Sequence, residues 1–523
     1  MVNPPAPPDA FNLAGHLIER NASRADRIAY IDDRTRLSYG ELAVRIRRFA
    51  QVLHDSGVRR EERVLLLAHD TVDWPVAFLG AIYAGIVPVA VNTLLTADDY
   101  AFMLSNSRAH AAVVSAALLA TLEQALARGD HDVEIVWVIG PTGALRAGAR
   151  DFGADLARAG SAPQARTHAD DAAFWLYSSG STGAPKGTVH THANAYWTDA
   201  LYAQNILRLT EDDVCFSAAK LFFAYGLGNA LTFPLSAGAT TLLMAERPTP
   251  QSVFRRLTEQ RPTVFYGVPT LYAAMLASPD LPARTAIALR ICASAGEALP
   301  SDIGERFTAH FGVEILDGIG STEMLHIFLS NRAGEVRYGT TGVPVPGYEV
   351  ELRGEDGRPV ADGEVGDLYI RGPSAALMYW TNRDKSRATF QGEWTKSGDK
   401  YSRRADGYYV YAGRGDDMLK VSGLYVSPFE VEAALVQHPA VLEAAVIGRT
   451  DAEGLTKTKA FVVLKPGHAA DPGLEDALKA FVKDKLAPYK YPRAIEFITE
   501  LPKTATGKIQ RFRLREREQG RAS

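Results

Sequence analysis

Between Phe11 and about Gly413, helical periods alternate with short β-branched runs such as "RVLLLA", "HAAVVS" and "VEIVWVIG". That alternation predicts α/β architecture with mainly parallel sheets flanked by helices, because a parallel pair needs a helical crossover to return the chain. The longest apolar stretch, Trp74 to Val91, is interrupted by Pro75, Gly80, Gly85 and Pro88. It reads as a buried helix running into a strand, not a membrane span. From about Arg414 the pattern changes. A short helix opens at Pro428, with Ser427 as its cap, and strands follow at Val441–Ile447 and Ala460–Leu464, then a helix near 474–486. This predicts a small α+β unit, 414–523, beside a large one, 1–413.

With 523 residues and a net charge of -4, acidic and basic residues interspersed, the chain looks like a soluble multidomain enzyme and not a nucleic-acid binder. Its two cysteines, Cys215 and Cys292, have neither a C-x-x-C spacing nor a histidine cluster, which favours a reducing cytoplasm over a disulfide framework or zinc site. The opening "MVNPPAPPDA" has no basic start and no apolar segment, so it reads as a tail rather than a leader.

The stretch "YSSGSTGAPKG", Tyr177 to Gly187, follows the apolar run "AAFWLY", and "TVHTHANAYW" after it starts a helical pattern. Strand, glycine-rich turn, helix is an arrangement that offers backbone N–H groups to an anion. Gly180, Gly183 and Gly187 permit close approach, Ser178, Ser179, Ser181 and Thr182 add hydroxyls, and Lys186 supplies charge. The order Pro-Lys-Gly excludes the Walker P-loop.

This loop resembles the signature of the adenylate-forming superfamily, which includes acyl-CoA synthetases, luciferases and adenylation domains of peptide synthetases. Five further stretches match in the same order: "SAGEALP" (294–300), "DGIGSTE" (317–323), "SGD" (397–399), "GRGDDMLKVSG" (413–423) and "PKTATGK" (502–508). The resemblance implies a large N-terminal domain of helix-flanked sheets plus a β-subdomain, and a small mobile C-terminal domain turning about Asp416. It implies adenylation of a carboxylate by ATP and then thiol attack, with ATP, Mg2+ and coenzyme A required.

By the same resemblance Ser178 through Gly183 and Lys186 hold phosphates, Gly296, Glu297, Ala298, Asp317, Gly318 and Ile319 wall the adenine, and Thr322 touches the α-phosphate. Glu323 would hold Mg2+, Asp399 and Arg414 the ribose, and Lys508 the reacting carboxylate and α-phosphate. Lys420, Ser422 and Gly423 would line the pantetheine channel. Thr182, Lys186, Glu323 and Lys508 form the expected catalytic set.

"KLFFAYGLGN" (220–229), "MLHIFLSN" (324–331) and "LTADDYAFMLSNSRAH" (95–110) resemble benzoate-CoA ligases, a branch of that superfamily. This implies an aryl slot of Ala224, Tyr225, Gly226, Gly320, His326 and Ile327. Ala224 and Gly320 would leave room for the ring, and His326 would give a polar edge. The implied function is formation of benzoyl-AMP and then benzoyl-CoA by a cytoplasmic enzyme of aromatic-compound degradation, acting without nucleic acid or membrane. An enzyme adenylating another benzoate derivative, or loading a carrier protein, is the alternative. Whether the chain forms a homodimer is left open by the sequence.

Overall fold

The computed structural model describes residues 4–522 apart from 142, 144, 146–147, 179–184, 416, 422–423, 451–455, 487–489 and 504–508. Two large sheets carry the N-terminal part. One has eight strands in the order 378–379, 186–191, 172–178, 87–90, 63–67, 109–115, 135–139 and 149–151. From Val87–Ala90 outward to Ala149–Asp151 its neighbours are parallel. The other has nine strands, with a parallel centre formed by Thr240–Leu242, Val214–Ser217, Val264–Gly267, Ile291–Ser294 and Ile315–Gly320. Apolar residues on both faces of such strands must be covered, and helices do so.

Helix Asp73–Tyr83 is buried at every position after its first. This accounts for the long apolar stretch in the sequence: with no solvated face, the helix needs no polar stripe. Gly80 allows helix Tyr39–Asp55 to approach, since a Cβ there would lie 2.8 Å from the Phe49 ring.

A five-stranded antiparallel sheet follows, built around Glu349–Arg353, Val365–Arg371, Trp394–Arg403 and Tyr409–Arg414. The C-terminal part is a three-stranded sheet (Val441–Thr450, Thr456–Leu464, Ala494–Phe497) with helices Pro428–Val436 and Pro472–Lys485. Ser427 caps the first of these helices by accepting from the Glu430 amide. The last helix, Arg511–Ala522, buries Leu514 against a cluster containing Ile447 and Phe461. The protein is therefore mixed α/β with a large N-terminal part and a smaller C-terminal α+β part.

One local expectation is corrected. The segment after the glycine-rich stretch is not a helix but the strand Lys186–Thr191, antiparallel to Ala172–Ser178, with Ser178 opposite Lys186. The helix begins only at His192. Thr188, Val189 and Thr191 are β-branched and favour the extended chain. The strand pairs on one edge with Ala172–Ser178 and on the other, at Thr188 and Val189, with Met378–Tyr379. The described residues on either side of 179–184 are thus strands, and among those that follow no helix begins before His192.

Candidate active site

The strand pairing sends Lys186 to the same corner as the "DGIGSTE" segment. Lys186 Nζ lies 4.7 Å from the centroid of the Tyr379 ring, and the Tyr379 hydroxyl donates to Glu323 Oε1 at 2.6 Å. Burial lowers the Lys186 pKa, while the Glu323 carboxylate opposes that shift. Burial and the neighbouring Glu323 push the Tyr379 hydroxyl far above its ordinary range, so it remains a donor. The Glu323 carbonyl accepts from the Ala376 amide at 2.8 Å.

Thr322 is fixed from behind. Its carbonyl lies 2.9 Å from His190 Nε2, and His190 Nδ1 is 3.1 Å from Asn194 Oδ1. Burial pushes the His190 pKa down to about 4, so the ring is neutral at physiological pH. Tyr379 and His190 are missing from the sequence-based site. Tyr379 sits on a two-residue edge strand, too short to show a period, and His190 lay in a segment expected to be helical.

The residues expected at the adenine gather at the ends of two adjacent strands. Ser294 and Asp317 are register partners, and Gly296, at φ +94, turns the chain into Glu297 and Ala298. Asp317 is 3% exposed and its carboxyl is pushed well above the usual range by burial. Its Oδ1 and the Ser294 hydroxyl lack partners among the described residues. Buried polar atoms of this kind call for a ligand or an ordered water. A cavity of about 410 Å³ borders Ala298, Leu299, Asp317, Thr340 and Tyr411 on one side and Phe429 on the other.

Gly318 and Ile319 continue the Asp317 strand. Asp399 and Arg414, both expected at the ribose, are register partners on neighbouring strands, with Arg414 Nη1 donating to Asp399 Oδ1 at 3.1 Å. Gly398, at φ +80, makes the bend before Asp399 in a conformation a glycine adopts freely.

The residues expected at the aryl ring lie on two neighbouring stretches. Ala224, Tyr225 and Gly226 lie on the short helix Ala224–Leu227. His326 is 2% exposed. Its Nε2 lies 3.3 Å from the Tyr225 carbonyl and 3.2 Å from Asn229 Oδ1. Its ring packs among Tyr202, Tyr225 and Phe233, and burial pushes its pKa down to about 3. Only Nδ1 is without a partner among the described residues.

At Gly320 a Cβ would meet the His326 carbonyl at 2.5 Å, so the closeness of the two strands by itself requires a glycine there. Gly228, absent from the sequence-based set, makes room for the imidazole, which a Cβ would approach to 2.4 Å. Between Glu323 and His326, Leu325 takes the left-handed conformation at φ +65, a strain of about 1–3 kcal/mol that turns the chain from metal motif to pocket. Ile327 is buried beside it.

Ser178 is described, whereas Ser179, Gly180, Ser181, Thr182, Gly183, Asp416, Ser422, Gly423, Lys508 and the Lys420 side chain lie outside the described residues. Near them, Arg511 grips Glu432 through both carboxylate oxygens, at 2.9 and 2.6 Å, and Arg515 Nη1 donates to Asp417 at 2.9 Å. Among the described residues no three His, Cys, Asp or Glu side chains group as a metal cage, and no helix is long and apolar enough to cross a membrane.

Lys186 and Glu323 thus meet at one corner, next in the chain to the glycine-rich sequence, and the half-open cavity at Asp317 lies at the ends of neighbouring strands. The AMP-binding enzyme profile matches residues 17–380, and that of the AMP-binding enzyme C-terminal domain matches 430–508. The chain belongs to the AMP-binding enzyme family.

Over 514 residues it is 58% identical to a benzoate--CoA ligase of Thauera aromatica, spanning 97% of this chain and 96% of that protein. It is 50% identical over 519 residues to a 4-hydroxybenzoate--CoA/benzoate--CoA ligase of Rhodopseudomonas palustris, spanning 97% and 94%. Among solved structures, a benzoate CoA ligase from Burkholderia xenovorans LB400 is 64% identical with TM-score 0.91, covering 97% of this chain and 100% of that one. The anthranilate CoA ligase AuaEII in complex with anthranoyl-AMP is 41% identical with TM-score 0.94, covering 99% of each chain.

Proposed function

We propose that this chain is an ATP-dependent aryl acid–thiol ligase that converts benzoate to benzoyl-CoA. The observation that carries this is end-to-end similarity to benzoate-CoA ligases, at 58% and 64% identity. In the first half-reaction a benzoate oxygen attacks the α-phosphorus of ATP, the bond to the β-phosphate oxygen breaks, and benzoyl-AMP and pyrophosphate form. In the second, the thiolate of coenzyme A attacks the acyl carbon, the C–O bond to AMP breaks, and the thiol proton passes to solvent.

Lys186 and the hairpin loop with Thr182 and Gly183 neutralise the departing phosphates, where fixed cations and donors contribute most. A single carboxylate, Glu323, suits Mg2+, which is held by one or two protein oxygens together with phosphates and water. The ion would supply charge neutralisation on the phosphates. Tyr379 orients Glu323 for that role, and Asp317 offers a hydrogen bond to the adenine. Asp399 and Arg414 bind the ribose, and Lys508 meets the reacting carboxylate. Residues 414–523 act as a mobile unit hinged at Asp416, bringing Lys420, Ser422 and Gly423 to the pantetheine arm. A cytoplasmic location fits small soluble substrates and the free, buried state of Cys215 and Cys292.

The test is AMP release with ATP, Mg2+ and coenzyme A across acetate, hexanoate, benzoate, 2-aminobenzoate, 4-chlorobenzoate and phenylacetate. CoA-dependent turnover is expected to peak at benzoate. A peak on an aliphatic acid would overturn the aryl assignment, and adenylate formation without CoA turnover would point to a carrier protein as acceptor.

A further inference from the structure

The turn that leads into the aryl pocket is held by two charged side chains that the reaction does not use, a buried aspartate and a half-buried lysine. It runs from strand Val214–Ser217 of the nine-stranded sheet to helix Ala224–Leu227. Asp70 lies just past strand Arg63–Leu67 of the other large sheet and is 4% exposed. Its carboxylate accepts from the Leu221 amide, with N···O distances of 3.2 and 3.4 Å. From the opposite side Lys220 Nζ donates to the Glu246 carbonyl at 2.8 Å and to that of Met244. Residue 246 is itself clamped, since Arg256 Nη1 donates to Glu246 Oε1 at 2.6 Å and Arg256 Nη2 to Asp33 Oδ1 at 2.9 Å. The turn is thereby clipped to both sheets.

The pocket residues stand directly on this turn. The Phe223 amide donates to the Lys220 carbonyl at 3.0 Å, and the Leu227 amide to that of Phe223 at 2.7 Å. A Cβ on Gly226 would lie 2.0 Å from the Lys220 carbonyl oxygen, so a shift at residue 220 carries through to Ala224, Tyr225 and Gly226. Burial pushes Asp70 up to about 6, with the Lys220 charge opposing the shift. Burying a charged group is costly, and here the buried Asp70 and the half-buried Lys220 both serve a turn with no ladder of its own.

We propose that Asp70 and Lys220 are positioning residues that set the width of the aryl pocket by pinning the 219–223 turn between the two sheets. The inference rests on the assignment of Ala224, Tyr225 and Gly226 to the aryl ring.

It is tested by steady-state kinetics of Lys220→Met, Asp70→Ala and Asp70→Asn in the full chain, with benzoate, 2-aminobenzoate and ATP as varied substrates. Lys220→Met and Asp70→Ala are expected to raise KM for benzoate ~10-fold and to lower the benzoate to 2-aminobenzoate ratio of kcat/KM, the scale on which apolar pockets discriminate. KM for ATP should stay within about twofold, as the nucleotide cavity lies on other strands. Asp70→Asn keeps an acceptor for the Leu221 amide and should retain the wild-type ratio. An unchanged benzoate KM and ratio would overturn the proposal, as would a joint fall of both substrates' parameters and the melting temperature. Loss of fold in Asp70→Ala leaves Lys220→Met to decide. Ala224→Leu is run alongside: if it spares benzoate binding, the pocket assignment has failed first and the proposal falls with it.

Discussion

Replacing Tyr379 by phenylalanine removes one oxygen and little else. The ring that lies 4.7 Å from Lys186 Nζ is kept, while the 2.6 Å hydrogen bond to Glu323 is lost. That distance is typical of a charge-assisted bond from hydroxyl to carboxylate, and bonds to charged groups contribute about 1.5–3 kcal/mol net. Glu323 is half-buried, so water takes over part of the interaction, and the low end, ~1.5 kcal/mol, applies. At about 1.4 kcal/mol per decade this is roughly a tenfold loss.

The assay is pyrophosphate release from ATP and benzoate at a series of Mg2+ concentrations. The expected result is a roughly tenfold fall in kcat/KM for ATP with a rightward shift of the Mg2+ dependence. CoA thioester formation from supplied benzoyl-AMP should be unaffected. A variant with wild-type Mg2+ dependence, or one that loses both half-reactions equally, would refute the idea that Tyr379 orients the metal carboxylate.

Lys508→Ala is expected to slow adenylation by ~10² to 10³, the effect of removing one donor to developing charge. Thioester formation from supplied benzoyl-AMP should survive, and equal loss of both steps would remove the assigned role. His190 gives a pH signature. Its folded pKa of about 4 lies below the ordinary 6.5, so the unfolded chain takes up the proton first and stability falls as pH drops below 6.5. Because the unfolded group is half protonated at pH 6.5, wild type loses about 1.6 kcal/mol between pH 6.5 and 5 that His190→Asn does not. Urea unfolding of both proteins at the two pH values measures the difference, and parallel pH profiles would contradict it. Glu432→Ala removes the two-oxygen partner of the half-buried Arg511, which among the described residues keeps only Asp417 at 3.7 Å, and leaves the Val446 amide without its acceptor, so it should cost the C-terminal part about 1–3 kcal/mol. Hydrogen exchange at Val446, whose amide donates to Glu432 at 2.7 Å, reads this directly, and unchanged protection would count against it.

The parallel sheets, the buried helix after Asp73 and the C-terminal α+β part were legible because period and burial agree over many residues. Lys186 and Glu323 could be singled out because each sits in a dense local motif. Tyr379, His190 and Gly228 carry no such mark: each acts through a partner far away in the chain, and a tyrosine in "LMYW" looks like any core aromatic. The misassigned helix after the glycine-rich stretch had a local warning in Thr188, Val189 and Thr191, outweighed by the helical run that does begin at His192. His326 shows the opposite limit. Sequence placed it at the pocket, but its enclosure by Tyr202, Tyr225 and Phe233 comes from elements that only the fold brings together.

The two-residue strand Met378–Tyr379 pairs with Thr188 and Val189 across more than a third of the chain. A ribosome that has delivered Glu323 and the whole antiparallel strand Val365–Arg371 has still not delivered the hydroxyl that grips the carboxylate. The corner around Lys186 closes only after the chain has left the first sheet, finished the nine-stranded one, laid down the first two strands of the antiparallel one and come back. A nascent or truncated polypeptide ending before Tyr379 therefore carries both charged groups of that corner with neither the strand edge nor the hydroxyl to hold them, so competence for ATP chemistry arises late in synthesis, well after most of the core is available to form.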